Sequence, residues 1–309
     1  MPHHEDWRGN TAGTPWMHRL LIASFRFVGV RPYYILVALF IAPVYMLVHH
    51  QACLAIWHYF RRQHGFSPWK TFRYTYLNHY RFGQIIIDRF AAYAGYKFKF
   101  EMEGFEQFRQ LTRQPEGIIV LSSHTGNYEI AGYSLTSPEK RYHALVYSGE
   151  AKTVMANRSR LFAANNIKMI PIGDDLSHLI EMNNALSEGD IVSIPGDRIF
   201  GSPKCIRCDF LGGKASFPLG PFAMAVQRSV PVIAMFVMKH SLAHYKVYIK
   251  LLPTAPSQAA ASKNAQTALL AQAFADELET ILRIYPEQWF NYYEFWNDER
   301  NDREDIKSQ

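Results

Sequence analysis

Short apolar runs alternate with helix-periodic segments along the chain from about residue 97 onwards. Runs of strand length lie at residues 118–121, 143–147, 191–194, 232–237 and 245–252. Helical periodicity marks the segments at residues 152–165, 176–187, 222–228 and 257–284. Because strands that alternate with helices build layered sheets, the pattern predicts an α/β domain. Its functional groups are expected on the loops that follow the strands.

The hydrophobic pattern is different near the N-terminus. Residues 33–48, with the sequence YYILVALFIAPVYMLV, are almost entirely apolar. This run is shorter than the ~20 residues that a full membrane span needs. A buried core helix would give the same pattern. Since Tyr33, Tyr34 and Tyr45 lie towards the ends of the run, where aromatic rings favour the membrane interface, we expect a helix that inserts into the membrane or lies in its surface.

A predicted helix start near residue 67 separates the N-terminal segment from the rest of the chain. Ser67 can cap a helix and Pro68 suits its first turn, and apolar residues then recur at helical spacing to about residue 94. The sequence therefore predicts a membrane-associated helical arm over residues 1–65 and an α/β domain over residues 66–309.

Composition and charge narrow the class of partner. Hydrophobic residues make up 48% of the 309 positions and charged residues 19%, which excludes disorder over most of the length. The net charge of +6 favours an anionic partner such as nucleic acid, acidic lipid headgroups or an acidic carrier protein. The cations are scattered among aromatic residues and match no nucleic-acid-binding motif. We therefore expect a membrane or an acidic carrier protein, and no nucleic acid.

The three cysteines predict no disulfide framework in a chain of this length. Cys205 and Cys208 have the spacing of half a zinc site, but no second ligand pair follows. We expect a reduced pair in a surface loop, no metal, and a cytosolic environment for the thiols.

A histidine and a glutamate follow the first strand of the α/β domain closely. His124 comes directly after the strand in LSSHTGNYE, and its ordinary pKa suits a general base. Glu129, expected in the first turn of the next helix, could orient the imidazole as the acid of a catalytic triad does. Asn127, between them, is expected to contact substrate. On its own the H-x4-E spacing is common.

A second polar cluster follows the strand at residues 191–194. Asp197 and Arg198 come directly after it and could pair with each other. Further on, Lys214 follows two glycines and could bind a phosphate together with exposed backbone N–H groups. The spacing is not that of a P-loop.

Several sequence blocks occur in an order that resembles a known family. They are SSHTGNYE, RSR at residues 158–160, ALSEGDIVSIPGDRIFG, FLGGKASFPLGPFAMA and PEQWF. Over residues 20–296 the chain resembles the lysophospholipid acyltransferase superfamily, and within it the lipid A late (lauroyl and myristoyl) acyltransferases. The resemblance implies a mixed sheet flanked by helices, as in glycerol-3-phosphate acyltransferase.

The resemblance also implies a reaction and a place. The family moves a fatty acyl group from acyl-acyl carrier protein to a hydroxyl of a membrane lipid, at the cytoplasmic face of the bacterial inner membrane. His124 would be the general base and Glu129 its partner. Substrate-binding roles would fall to residues Asn127, Arg158, Asp197, Arg198 and Lys214. No metal or other cofactor is implied, because the donor carries its own phosphopantetheine.

Two departures from the lipid A enzymes concern the acceptor. After PEQW, where those enzymes carry cations, this chain has FNYYEFW with Glu294, and Arg198 stands where a neutral residue is usual. The acceptor therefore stays open between lipid A and another glycolipid, an aryl-polyene lipid or an aminolipid. The aromatic residues from Trp289 to Trp296 are expected to pack rather than react.

Two alternatives to transfer also stay open. One is a non-catalytic scaffold that binds lipid or carrier protein, and the other is a thioesterase-type hydrolase. The chain has no G-x-S-x-G nucleophile motif to support the hydrolase.

Overall fold

A seven-stranded mixed sheet lies at the centre of the protein, beside a separate two-stranded hairpin. The structure is a computed structural model that describes residues 14–131, 137–147, 152–172, 176–199, 204–253 and 262–296. Its strands are β1 (Lys99–Glu103), β2 (Ile118–Ser122), β3 (Tyr142–Tyr147), β4 (Ile167–Ile172), β5 (Ile191–Pro195), β6 (Cys205–Phe210), β7 (Gly213–Pro218), β8 (Val232–Ser241) and β9 (His244–Leu251).

The order of the strands in the sheet is β1-β9-β8-β2-β5-β3-β4. Strands β8, β2, β5, β3 and β4 run parallel to one another, whereas β9 and β1 run the opposite way. Every residue of the central strand β2 is buried, as its uninterrupted apolar sequence requires for a strand covered on both faces. The parallel strands bring their carboxyl ends to one edge, where their loops can meet.

Helices flank this sheet and form most of the rest of the chain. After the arm they are α5 (Pro68–Tyr93), α6 (Phe105–Thr112), α7 (Tyr128–Ala131), α8 (Lys152–Ala163), α9 (Ser177–Ser187), α10 (Leu219–Arg228) and α11 (Lys263–Ile284). Ser67 caps α5 through the N–H of Lys70, with Pro68 in the first turn, as predicted. A short 3₁₀ segment, Pro286–Gln288, follows α11.

The N-terminal arm is a series of short helices. They are α1 (Pro15–Val28), α2 (Arg31–Leu36), a π-helical segment (Val37–Ile41), α3 (Ala42–Val48), α4 (His50–His58) and a second π-helical segment (Tyr59–Gln63). The stretch Arg31–Val48 is long and apolar enough to cross a membrane, and only 17% of it is buried. It is therefore not a core helix, which would be covered by protein.

The inner side of the arm joins the rest of the protein. Phe25, Tyr34 and Val37 pack against Phe90 and neighbouring apolar residues of α5. The hydroxyl of Tyr34 also enters a polar network that is closed off from water.

That buried network centres on an ion pair between two fully enclosed side chains. Lys239 Nζ lies 2.6 Å from Asp88 Oδ2, and the two side chains are 1% and 0% exposed. Tyr34 and Tyr245 donate their hydroxyls to the carboxylate of Asp88, and Lys239 Nζ lies 2.9 Å from the Tyr34 oxygen. Lys239 Nζ also donates to the carbonyl of Leu242 at 3.0 Å. The charges are thereby compensated, which burial without water demands.

The five predicted strands and the helices after residue 67 are confirmed, with ends that differ by a few residues; residues 257–261 of the last predicted helix lie outside the described residues. The expected surface loop at Cys205 and Cys208 is wrong, because both residues lie in strand β6. Three residues apart in a strand, their side chains point to opposite faces. Both thiols are free, and Cys208 is buried.

Candidate active site

The candidate site lies where strands β2 and β5, which are adjacent in the sheet, end. The two strands are parallel neighbours in which Ser122 is paired with Pro195. The N–H of Gly196 continues the contact by donating to the carbonyl of Ser122 at 2.8 Å. His124 and Asp197 each lie two positions beyond this last pair, so the register of the strands places them side by side.

His124 and Asp197 form a hydrogen-bonded dyad. Nδ1 of His124 lies 2.7 Å from Oδ1 of Asp197, and the backbone N–H of His124 donates to Oδ2 at 2.8 Å. The Asp197 side chain is 1% exposed, whereas that of His124 keeps 20%. Within the described residues Nε2 of His124 makes no hydrogen bond. An imidazole whose Nδ1–H is held by a carboxylate has the tautomer that leaves Nε2 able to accept a proton.

The expected contact between Glu129 and His124 is wrong. The carboxylate of Glu129 accepts from the hydroxyl of Tyr93 at 2.6 Å and from Nη2 of Arg158 at 2.9 Å, and it pairs with Nε of Arg89 at 2.9 Å. The chain turns at Gly126 into the short helix α7, which directs Glu129 towards α5 and α8. Arg158 is likewise buried in this ion cluster.

The turn between His124 and Glu129 is fixed by its backbone. Gly126 has φ +48, and a Cβ there would overlap the carbonyl of Val237 in β8. Its N–H donates to the carbonyl of Gln288 at 2.8 Å, and the N–H of Asn127 donates to that of Val237 at 2.8 Å. The Asn127 side chain is 1% exposed and donates to the hydroxyl of Tyr245. The structure thus places Asn127 in the interior, where it supports the loop.

Charges around the two carboxylates set their ionisation. Burial opposes ionisation of Glu129, but the guanidinium groups of Arg89 and Arg158 outweigh it and lower its pKa to about 2. Burial also opposes ionisation of Asp197, yet His124 and Arg198 lower its pKa. Both side chains are therefore carboxylates at neutral pH.

The surroundings keep the imidazole neutral. Burial lowers the pKa of His124 and the nearby Arg198 lowers it further, against the opposing attraction of Asp197. A neutral imidazole at physiological pH is the form that a general base needs.

The other predicted binding residues lie at different distances from the dyad. Nη2 of Arg198 donates to the carbonyl of Phe290 at 3.2 Å, so this guanidinium lies beside the dyad. Lys214 lies on strand β7, where its ammonium is 2.7 Å from the carboxylate of Asp209 and 62% of its side chain is exposed. Arg198 belongs to the site, whereas Lys214 contacts none of its residues within the described part of the chain.

Sequence reasoning missed groups that complete the site. The indole N–H of Trp289 donates to Oδ2 of Asp197 at 3.1 Å, although this residue was expected only to pack. Arg89 and Tyr93 of α5 bind Glu129. Their spacing of one helical turn put them on the same face, which was the available signal.

No group of three or more His, Cys, Asp or Glu side chains able to hold a metal ion occurs within the described ranges. Among the predicted site residues, His124 pairs with Asp197 and Arg158 pairs with Glu129, and only the first pair contains a side chain that can exchange a proton near neutral pH. This arrangement can transfer a proton at Nε2 of His124.

The chain is similar to one known family. The family model described as "Bacterial lipid A biosynthesis acyltransferase" matches residues 81–297. A search of curated proteins gives no match. The matched segment includes the dyad, the Glu129 cluster and the Trp289 segment, and it covers more than half of the chain. The protein belongs to the bacterial lipid A biosynthesis acyltransferase family and is an acyltransferase.

Proposed function

We propose that the protein is a membrane-bound O-acyltransferase that moves a fatty acyl chain from acyl-acyl carrier protein to a hydroxyl of a membrane lipid or glycolipid. The observation that carries the proposal is the contact of Nδ1 of His124 with the Asp197 carboxylate, which leaves Nε2 able to accept a proton. In this proposal Asp197 replaces Glu129 as the group that orients the base.

The proposed reaction is one acyl transfer in two steps. Nε2 of His124 takes the proton of the acceptor hydroxyl as its oxygen attacks the thioester carbonyl carbon. The resulting tetrahedral intermediate collapses with cleavage of the C–S bond. The proton on Nε2 then passes to the departing sulfur, so the products are an ester and a free thiol. Asp197 stabilises the imidazolium that exists between these steps.

The proposed membrane contact is the arm, residues 1–65, through the exposed face of its described part, residues 14–65. Leu39 and Phe40 are each 63% exposed, and Leu47 is 80% exposed. Soluble proteins rarely leave such a row of apolar side chains in water, so we expect lipid or protein to cover it. Residues 66–309 would then form the acyltransferase domain at the cytoplasmic face of the inner membrane.

Donor and acceptor are proposed on charge and position. The net charge of +6 suits an acidic carrier protein, and Arg198 beside the dyad could bind an anionic group of either substrate. Lys214, exposed on its hairpin, could meet the carrier protein's acidic surface. The acceptor would be lipid A, another glycolipid, an aryl-polyene lipid or an aminolipid, and mass spectrometry of lipids from a deletion strain and its parent would identify it.

The direct test supplies the purified protein with acyl-acyl carrier protein and a membrane lipid extract. We expect lipid-dependent loss of the thioester with formation of an acylated lipid. His124→Ala should lower transfer by about a thousand-fold or more, and Asp197→Asn by about a hundred-fold or more, because the base and its orientation are lost. His240→Ala, which changes an exposed histidine, is the matched control and should keep wild-type activity.

The same assay separates the alternatives. Thioester loss without lipid would indicate a hydrolase, and binding without any thioester loss would indicate a scaffold. Wild-type transfer by folded His124→Ala would remove His124 from the mechanism.

A further inference from the structure

The indole of Trp289 lies directly behind the dyad. Its Nε1–H donates to Oδ2 of Asp197 at 3.1 Å, and the residue is 1% exposed. The same oxygen accepts the backbone N–H of His124 at 2.8 Å, while Oδ1 faces Nδ1 of the imidazole. One oxygen of the carboxylate is thus held by two fixed donors, which leaves the other to the histidine.

The backbone around Trp289 is bound to the loop that carries His124. The N–H of Phe290 donates to the carbonyl of His124 at 2.9 Å, and Thr125 forms a β-bridge with Trp289. Nδ2 of Asn78 donates to the carbonyl of Trp289 at 2.8 Å. These bonds join the backbone that carries the indole to the loop that carries the imidazole.

Aromatic packing fixes the plane of the indole. The rings of Tyr59, Phe210 and Phe295 lie with their centroids 5.2, 5.7 and 5.0 Å from that of Trp289, all edge to face. An indole enclosed on several sides cannot rotate its N–H away from Asp197.

We propose that Trp289 is a positioning residue of the acyltransferase site, whose indole N–H holds Asp197 in place and moderates its attraction for the imidazole of His124. The proposal rests on the proposed function of the dyad. A hydrogen bond to a carboxylate stabilises its charge and weakens it as a partner for a neighbouring cation. The indole thereby favours the neutral imidazole, which accepts a proton, over the imidazolium, which cannot.

Other groups also act on the dyad. Arg198, in the segment after β5, disfavours the imidazolium, and Asp197 favours it. The ring of Tyr128, from α7, lies 5.9 Å from that of His124. A change at Trp289 leaves all of these groups in place, so its effect on His124 can be measured separately.

The test replaces the donor and keeps an aromatic ring. Trp289→Phe removes the N–H, and the matched control is Trp296→Phe, whose lost N–H donates to the carbonyl of Phe210 at 3.3 Å. The pKa of His124 is measured by NMR in protein labelled with ¹³C at the histidine rings, with the signal assigned by its absence in His124→Ala. The pH dependence of kcat/KM for acyl transfer is measured in parallel.

In Trp289→Phe we expect the pKa of His124 to rise by about half a unit to one unit, because Asp197 attracts the imidazolium more strongly. The acid limb of the kcat/KM profile should move to higher pH by the same amount, so that kcat/KM at a given pH on that limb falls by about three- to ten-fold. Trp296→Phe should leave both values unchanged. Lower activity in Trp289→Phe with an unmoved pKa and an unmoved limb would show that the indole only fills space, and would overturn the proposal.

A second replacement covers the case in which Trp289→Phe does not fold. Incorporation of 3-benzothienylalanine at position 289 keeps the bicyclic ring and removes only the N–H donor, and it should give the same rise in pKa. Because the NMR measurement needs no substrate, it tests the role of Trp289 separately from the proposed acyltransferase function. If the wild-type protein shows no transfer activity but Trp289→Phe raises the pKa of His124, the proposed function is rejected and the role of Trp289 is kept. If the wild-type protein is active but Trp289→Phe leaves the pKa of His124 unchanged, the role of Trp289 is rejected and the proposed function is kept.

Discussion

Two buried carboxylates lie after the neighbouring strands β2 and β5, and they have different partners. Asp197 faces the imidazole of His124, which gains and loses a proton in the proposed reaction, so its charge would matter at each step. Glu129 faces the guanidinium groups of Arg89 and Arg158, which never lose their charge. The pair of Asp197 and His124 suits proton transfer, whereas the ion cluster of Glu129 holds α5, α7 and α8 together.

Glu129→Gln is expected to destabilise the protein while leaving the dyad intact. It leaves two buried guanidinium groups without their carboxylate, which should lower the free energy of unfolding at neutral pH by about 3 kcal/mol or more. Urea denaturation measures this loss. The control Glu106→Gln, in an exposed pair with Arg109, should cost about 1 kcal/mol or less.

The difference in the free energy of unfolding between wild type and Glu129→Gln should depend on pH. The pKa of Glu129 is about 2 in the folded protein against an ordinary value of 4.5, so its contribution to stability is complete above 4.5 and is lost as the pH falls towards 2. The gap in stability between wild type and Glu129→Gln should therefore narrow over that interval. A constant gap from neutral pH down to 2 would contradict the proposed role of the ion cluster.

At the scale of elements, the loop between β2 and α7 is shaped by the segment after α11. Gly126 lies between the carbonyls of Gln288, which it binds, and Val237, which lies against its Cα. The Gln288 side chain in turn binds both the N–H and the carbonyl of Lys239 at 2.8 Å. A sequence segment far from His124 along the chain thus fixes the turn that presents it.

Gly126→Ala should disrupt this turn. The added methyl group would overlap the carbonyl of Val237, and alanine is also strained at a φ of +48. We expect a loss of about 2 kcal/mol or more in the free energy of unfolding and a large fall in acyl transfer. Gly212→Ala is the control, because it has a φ of +80 but nothing within 4 Å of the added methyl group. Similar losses in the two variants would mean that backbone strain alone is responsible.

The sequence predicted where strands and helices lie along the chain better than it predicted which strands are adjacent in the sheet. Apolar runs revealed β2 and β5, but nothing in either run states that the two strands are adjacent. The pairing of His124 with Asp197 depends on that adjacency, so sequence spacing favoured the nearer carboxylate, Glu129. Strand β1 was missed because it is an edge strand in which exposed and half-buried residues alternate.

At the scale of the whole molecule, apolar surface is concentrated on the arm and on the start of α5. Trp69 is 77% exposed and stacks on Phe72 with ring centroids 5.9 Å apart. Leu39 and Phe40 are exposed on the π-helical segment of the arm, and the hydroxyl of Tyr76 in α5 donates to the carbonyl of Ala38 beside them. The arm and the first turns of α5 therefore offer one region for contact with lipid.

Leu39→Ser combined with Phe40→Ser should weaken binding to membranes. Both side chains are 63% exposed, so their removal costs little in folding but reduces the apolar area that lipid can cover. Co-sedimentation with vesicles of bacterial lipids should fall by about ten-fold or more. Leu179→Ser combined with Ile180→Ser, on the exposed side of α9, is the control. Equal losses in both pairs would point to general adhesion rather than to contact through the arm.

Through the hydroxyl of Tyr34, the arm also takes part in the buried polar network of the α/β domain. It reaches the enclosed pair of Lys239 and Asp88, and Asp88 also binds Tyr245, which contacts Asn127 in the loop after His124. An unrelated segment grafted in place of the arm would lack this hydroxyl and would leave the ion pair without one of its partners. The two parts of the chain are therefore not exchangeable modules, and a change of the arm in evolution or in engineering must preserve the group that enters the core.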